Sequence, residues 1–347
     1  MSAAFNVRSR APLRIGLAGG GTDLSPYCDQ YGGNVLNATI DRFAYAHIKP
    51  SEDGRIKFQA YDLGEEEVLV PGAHMDINSG LVLHRAVYKH MMESFCNGEQ
   101  IALNVSTTID VPAGSGLGAS SALVVALIEA FRTALQLPLG LYDVARLAFD
   151  IERVDLGLAG GRQDQYAAAF GGVNFIEFLA GERVIVNPLR MRRDFLNEFE
   201  SSLTICFTGQ SGRSDTIIKQ QVTGLKEMAD ETVMNMHQMK QDASQMKVAL
   251  LHGDLKEVAR ILAHSWQAKK KTAADISNKT VEHLHEVAMS VGAWAGKVSG
   301  AGGGGFLMLI SDPEDRHKLI ETLNSVGGQA SAVKLTVDGA EGWSVGR

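Results

Sequence analysis

The chain has 347 residues, 45% of them hydrophobic and 21% charged, with a formal net charge of -7. That length suits two lobes sharing an interface, and that composition suits an ordinary globular protein. The acidic balance argues against a nucleic-acid binder, which needs a basic face, but leaves room for local cationic pockets that take a phosphorylated small molecule.

In chain order, "RIGLAGGGTDL" from Arg14 begins as a short strand and dissolves into a glycine turn. "NVLNATIDRFAYAHIKP" and "RIKFQAYD" read as strands, "SGLVLHRAVYKHMMESF" as a helix, and "IALNVSTTIDVP" as a strand ending at Pro112. Ala122 to Leu135 is almost wholly apolar and predicts a buried helix, followed by a second helix from Leu141 to Leu158. "GGVNFIEF" and "RVIVNPL" are strands, and the charged segment from Arg190 to Ser202 is the expected lobe boundary. Beyond it come a strand, long Met-rich helical segments to Trp266, and then alternating helices and strands with a sheet of their own. The Met-rich stretch reads as ordinary packing. An α+β chain is expected, with lobes at 1–190 and 191–347.

Three cysteines, Cys28, Cys96 and Cys206, form no CxxC pair and suggest neither a disulfide framework nor a zinc site. The histidines show no metal spacing. The N-terminus lacks an apolar core of signal-peptide length and no apolar run reaches a membrane span, so cytoplasm is expected, without a membrane partner.

Glycine turns stand at Gly19–Gly21, Gly114–Gly118 and Gly302–Gly305. The middle one, "PAGSGLGASSA", sits between a strand and a helix, where bare backbone amides and the positive helix end can hold an anion. Ser120 and Ser121 fall at the helix start, where a hydroxyl caps the helix or touches a metal on bound phosphates. A tight turn with an N-cap explains one such loop but not three. The nearest Walker match, "GAWAGKVS", is one residue short and has Val298 where Ser or Thr is required. The first cluster does not fit a dinucleotide fingerprint.

On the Leu141–Leu158 helix, a 100° step aligns Leu141, Ala145, Ala148 and Glu152 on one stripe, with Arg146, Asp150 and Arg153 opposite. Glu152 is thereby turned toward the core, which requires an ion pair or a divalent metal on a nucleotide. Asp164 follows in "GGRQDQYAAAFGG" beside Arg162, placed to orient a hydroxyl or accept its proton.

Together these segments resemble the GHMP small-molecule kinases. "PAGSGLGASSA" is similar to the family's phosphate-binding loop, "APLRIGLAGGGTDL" to its first motif and "KVSGAGGGGFLMLI" to its third. The resemblance implies an S5-domain-2-like N-terminal lobe, a ferredoxin-like C-terminal lobe and an active site between them, taking ATP and Mg²⁺. It implies that Pro112, Gly114, Ser115, Gly116, Leu117, Gly118, Ala119, Ser120 and Ser121 hold the ATP phosphates. Ser120 and Glu152 would hold Mg²⁺, Asp164 would be the base, and Arg14 would lie near the transferring phosphoryl group. Gly300, Gly302, Gly303 and Gly304 form the third motif.

Gly21, Thr22 and Asp23 occupy the sugar-binding place, with Gln163 beside Arg162. The first motif departs from the galactokinase form, which sets galactose aside. Within the family the chain looks most like the D-glycero-D-manno-heptose 7-phosphate kinases, with fucose kinases as neighbours. A sugar phosphorylated at its far end needs a second cationic pocket, for which Arg162, Arg213 and Arg10 are the candidates, each equally explained by a salt bridge. A non-catalytic sugar and nucleotide sensor is the alternative of another class. A monomer or homodimer is expected.

Overall fold

The strand Val7–Ala18 is buried at every position from Ala11 onward, so it is covered on both faces and does not alternate. The computed structural model describes residues 6–211, 214–227 and 230–346. This strand is β1, followed by α1 (Tyr27–Tyr31), β2 (Gly33–Pro50), β3 (Ile56–Ala60) and β4 (Glu65–Leu69). Next come α2 (Val82–Phe95), β5 (Leu103–Ile109), α3 (Ala119–Leu135), α4 (Leu141–Phe149), α5 (Gln163–Phe170), β6 (Val173–Phe178) and β7 (Val184–Pro188). The chain then forms α6 (Arg193–Ser202), β8 (Leu203–Phe207), α7 (Ser214–Lys226), α8 (Asp230–His252) and α9 (Leu255–Lys270). It ends with α10 (Lys279–Ser290), β9 (Ala293–Val298), β10 (Phe306–Ser311), α11 (Arg316–Ser325), β11 (Gln329–Ala332) and β12 (Glu341–Ser344).

The larger sheet runs β12-β1-β2-β5-β3-β4, with β6 on β2 and β7 on β6; the smaller runs β11-β8-β10-β9. All pairings are antiparallel except β3 with β5. The core of the first lobe is α3 against β1 and β2. Val124, Val125, Leu127, Ile128 and Phe131 are buried on it, each worth about 1.5–3 kcal/mol on the usual scale of apolar burial. α8 lies on β1 and β2 while α9 lies on β9, so this helix pair spans both lobes. Among the described residues no helix is long and apolar enough to cross a membrane. The three cysteines are free, with Cys28 and Cys206 buried.

Two expectations change. The second lobe is not a continuous 191–347 segment, because β12 returns to pair with β1, Arg10 opposite Glu341, and covers what would be a bare sheet edge. The predicted Leu141–Leu158 helix ends as α-helix at Phe149 and continues as a π turn over Asp150–Asp155, where the Leu156 amide reaches the Ile151 carbonyl. Ala145, Ala148 and Glu152 are buried as the stripe requires, but Leu141 is exposed. Arg146 and Asp150 pair outside at 2.9 Å, whereas the wider turn brings Arg153 inward.

The lobes meet at glycine backbone. A Cβ on Gly300 would lie 2.6 Å from the Gly116 carbonyl oxygen and 2.8 Å from its Cα; one on Gly305 would lie 2.3 Å from the Ser115 oxygen. The Phe306 amide donates to that Ser115 oxygen at 2.9 Å. Gly300→Ala is therefore expected to destabilise by about 2–4 kcal/mol, left-handed strain plus overpacking. Gly209→Ala, at a similar φ of +76° but with open space around it, should cost only the strain, about 1–2 kcal/mol. Urea unfolding of the two variants measures the difference; equal losses would mean that the seam is loosely packed.

Candidate active site

All three glycine turns are loop ends of rigid elements. β1 runs into Gly19–Gly21, the segment after β5 turns at Gly114–Gly118 into α3, and β9 reaches β10 through Ser299–Gly305. A cleft of about 370 Å³ opens between them. Gly118 has φ +75° and caps α3, whose first residues Ala119, Ser120 and Ser121 line the cleft with Gly114, Ser115 and Gly116. The N-terminal end of a long apolar helix thus faces the space where an anion fits.

Arg14 is buried, and its guanidinium joins three groups. Nε and Nη2 reach Asp164 Oδ1 at 2.7 and 2.6 Å, and Nη1 donates to the Gly116 carbonyl at 2.7 Å and to Ser299 Oγ at 3.3 Å. Asp164 stands in the first turn of α5, partly exposed to the cleft, close enough to Gly118 that a Cβ there would lie 3.3 Å from its carboxylate carbon. Asp23 sits at the same helix end. Its carboxylate accepts from the amides of Gly21, Arg162 and Gln163 and from Gln163 Nε2 at 2.8–3.1 Å, so it fixes the start of α5 while lining the cleft.

Glu152 is buried, and Ser120 Oγ donates to its Oε1 at 3.3 Å, while Gln165 Nε2 donates to its Oε2 at 2.5 Å. A hydroxyl and a carboxylate at one edge of the cleft are hard oxygen donors, the kind Mg²⁺ takes once or twice from protein and otherwise from phosphates and water. Among the described residues no group of three or more His, Cys, Asp or Glu side chains is placed to hold a metal ion.

Several expected site residues fall elsewhere. Pro112 is exposed at the loop's outer edge and Leu117 is in the core, so neither lines the cleft. Thr22 is buried with its hydroxyl on the Gly19 and Asn34 carbonyls. Gly300 lines the cleft, but Gly302 packs on Ile276, and the Gly303 amide donates to the Ile276 carbonyl. Gly303 and Gly304 lie outside the lining. Arg162 faces a neighbouring cavity. Arg10 is four residues from Arg14 on an extended strand, about 13 Å away. It pairs with Glu341 at 2.6 Å and stacks over Phe43, far from the cleft. Arg213 lies outside the described residues.

Two buried lysines were not anticipated. Lys269, in the last turn of α9, lines the cleft and donates to the Gly300 carbonyl; Lys297 on β9 donates to the Gly16 carbonyl at 3.0 Å. Burial, with Arg14 nearby, pulls Lys269 down to about 8 despite Asp23 and Asp164, and burial with Lys269 and Arg14 lowers Lys297 as well. Arg14, Arg153 and Lys269 thus stand in the cleft among the carboxylates of Asp23, Glu152, Asp164 and Asp215. A basic residue at a helix C-terminus is common enough to hide Lys269 in the sequence.

The GHMP kinases N terminal domain matches residues 82–172, and the GHMP kinases C terminal domain matches residues 246–329. A D-glycero-alpha-D-manno-heptose 7-phosphate kinase from Campylobacter jejuni is 40% identical over 339 residues, covering 98% of this chain and 99% of its own. The chain belongs to the GHMP kinases. The crystal structure of a D-glycero-D-manno-heptose 1-phosphate kinase from Bacteroides thetaiotaomicron, 42% identical, superposes with a TM-score of 0.83 over 98% of this chain and all of that one. A galactokinase from Lactococcus lactis, 17% identical over 96% of this chain and 94% of its own, shares the GHMP kinase fold with a TM-score of 0.76. The chain is thus a kinase, and GHMP kinases take the phosphoryl group from ATP.

Lys269 gives this GHMP kinase a measurable signature. Its folded value lies below the ordinary lysine value, so between about 8 and 10.5 the unfolded chain binds a proton that the folded chain does not. Stability from this group therefore rises with pH across that window, by up to about 1.4 kcal/mol per unit, and its cost is full below it. Relative to Lys269→Met, the wild type is expected to gain stability between pH 7.5 and 9.5 in urea unfolding; parallel pH profiles would contradict the assignment.

Proposed function

We propose that this kinase transfers the γ-phosphoryl group of ATP to the anomeric hydroxyl of D-glycero-D-manno-heptose 7-phosphate, giving the 1,7-bisphosphate. The observation that carries the reading is the Arg14–Asp164 pair, set at 2.6 Å between the phosphate loop and an open cleft in a chain 40% identical to a heptose 7-phosphate kinase. The product would feed nucleotide-activated heptose for bacterial surface polysaccharide, in the cytoplasm where ATP is made.

Asp164 takes the proton of the anomeric hydroxyl as that oxygen bonds to the γ-phosphorus. The bond from phosphorus to the bridging oxygen breaks, and ADP leaves. Gly114, Ser115, Gly116 and the first turn of α3 hold the phosphates through backbone amides. Ser120 and Glu152 would hold Mg²⁺, which when bound offsets phosphate charge. Arg14 and Lys269 neutralise charge that builds on the equatorial oxygens. Gln163, whose amide lines the cleft beside Asp23, and Gly21 border the sugar. Most of this is positioning and charge compensation, which suits a loose transition state.

A bifunctional L-fucokinase from Bacteroides fragilis is 26% identical over 98% of this chain and 38% of its own, which keeps a hexose 1-kinase as the second reading. ADP release with ATP and Mg²⁺ over heptose 7-phosphate, mannose 6-phosphate, mannose, fucose and galactose separates the two. Heptose 7-phosphate is expected to lead, with mannose 6-phosphate a weaker surrogate. Asp164→Asn should lower kcat by about 10²–10⁴ while ATP still binds. Preference for a free hexose would leave the kinase and remove the heptose, and full activity of the variant would remove Asp164 from its role.

A further inference from the structure

Beside the cleft lies a second cavity of about 410 Å³, and the two have lining residues in common, among them Asp23, Leu24, Arg153 and Ile218. The two cavities are therefore neighbours along the same segments of chain. Among the described residues lining it stand four cations, Arg153, Arg162, Lys219 and Lys226, against a single carboxylate, Asp23. That carboxylate already accepts four hydrogen bonds.

Arg162 carries the argument. Its side chain is 9% exposed, lies over the Phe149 ring at 5.3 Å, and donates through Nη2 to Ser25 Oγ at 3.2 Å and Asp29 Oδ1 at 3.1 Å. Nη1 is buried with no hydrogen-bond partner. A buried guanidinium nitrogen left unpaired is costly, and Arg162 is among the residues that line the cavity, where a cation suits an anion. Arg153 stands at the junction of the two cavities, its guanidinium against Gly160, where a Cβ would lie 2.3 Å away. Lys219 and Lys226 reach the opposite rim from α7, Lys219 with only a 3.8 Å pairing to Asp215.

We infer that this side cavity is a phosphomonoester subsite that grips the far end of the sugar through Arg162, Arg153, Lys219 and Lys226, and so makes the kinase select phosphorylated sugars. The assignment rests on the sugar-kinase reading above. It differs from the phosphate loop in using side-chain cations and not backbone amides, and so the two anions of the reaction are bound by separate means.

The test measures kcat and KM, with ATP and the full chain, for D-glycero-D-manno-heptose 7-phosphate and for unphosphorylated D-glycero-D-manno-heptose. Both lysines are exposed on α7, so Lys219→Gln/Lys226→Gln is expected to fold. The double variant should raise KM for the 7-phosphate by about tenfold, with kcat within about twofold and the constants for free heptose unchanged. Lys219→Arg/Lys226→Arg should restore the selectivity, which a merely structural role of α7 would not predict. A double variant that keeps the wild-type preference for the phosphate would overturn the subsite and leave the heptose kinase standing. A wild type that turns over free heptose as well as the 7-phosphate, or neither, would overturn the substrate reading and the subsite with it.

Discussion

One guanidinium organises this enzyme. Arg14 leaves β1 into the space between the lobes and there holds the Gly116 carbonyl of the phosphate loop, the Asp164 carboxylate at the start of α5 and Ser299 of the third glycine turn. A buried charge tolerates that position only because its donors meet carboxylate, carbonyl and hydroxyl oxygens together. The fork geometry does the rest: three separate chain segments are set at fixed distances from one another. The seam of bare glycine backbone at Gly116, Gly300 and Gly305 is what lets the loops come close enough to be reached. The end of α3 at the wall, with Arg14 and Lys269 beside it, then makes a place for an anion in an acidic protein.

The arrangement separates stability from function. The core under the site is apolar burial on α3 and both sheets, and it needs none of the charged groups above it. Lys269 loses solvation and hydrogen-bonds only to a carbonyl, so it is more readily explained by the cleft it lines than by what the fold requires. Arg162, which lines the side cavity, likewise keeps one buried nitrogen unpaired.

Much of this could be read from the chain. The glycine turns announced backbone needed bare, the odd carboxylate on an apolar stripe announced Glu152, and Asp164 announced itself through its glycine-rich setting. What was not legible came from tertiary packing. The π turn after Phe149 altered the phase of the helix, so Arg153 appears at the site although a 100° step puts it opposite. Lys269 reads as an ordinary helix end, and only the docking of α9 on β9 buries it. Arg10 and Arg14 share a strand face, and only the return of β12 shows that Arg10 belongs to Glu341. The side cavity draws one wall from α7 and another from the residues around α5, elements some fifty residues apart that the sequence alone cannot place together.

The most direct test of this account is kcat of Arg14→Lys, with the fold checked by circular dichroism. Lysine keeps the positive charge and loses the fork, so it can neutralise the cleft but cannot hold Asp164, Gly116 and Ser299 at once. A folded variant with kcat reduced by about a hundredfold or more is the predicted result. A folded variant that turns over at the wild-type rate would show that charge alone suffices, and that Arg14 does not assemble the site.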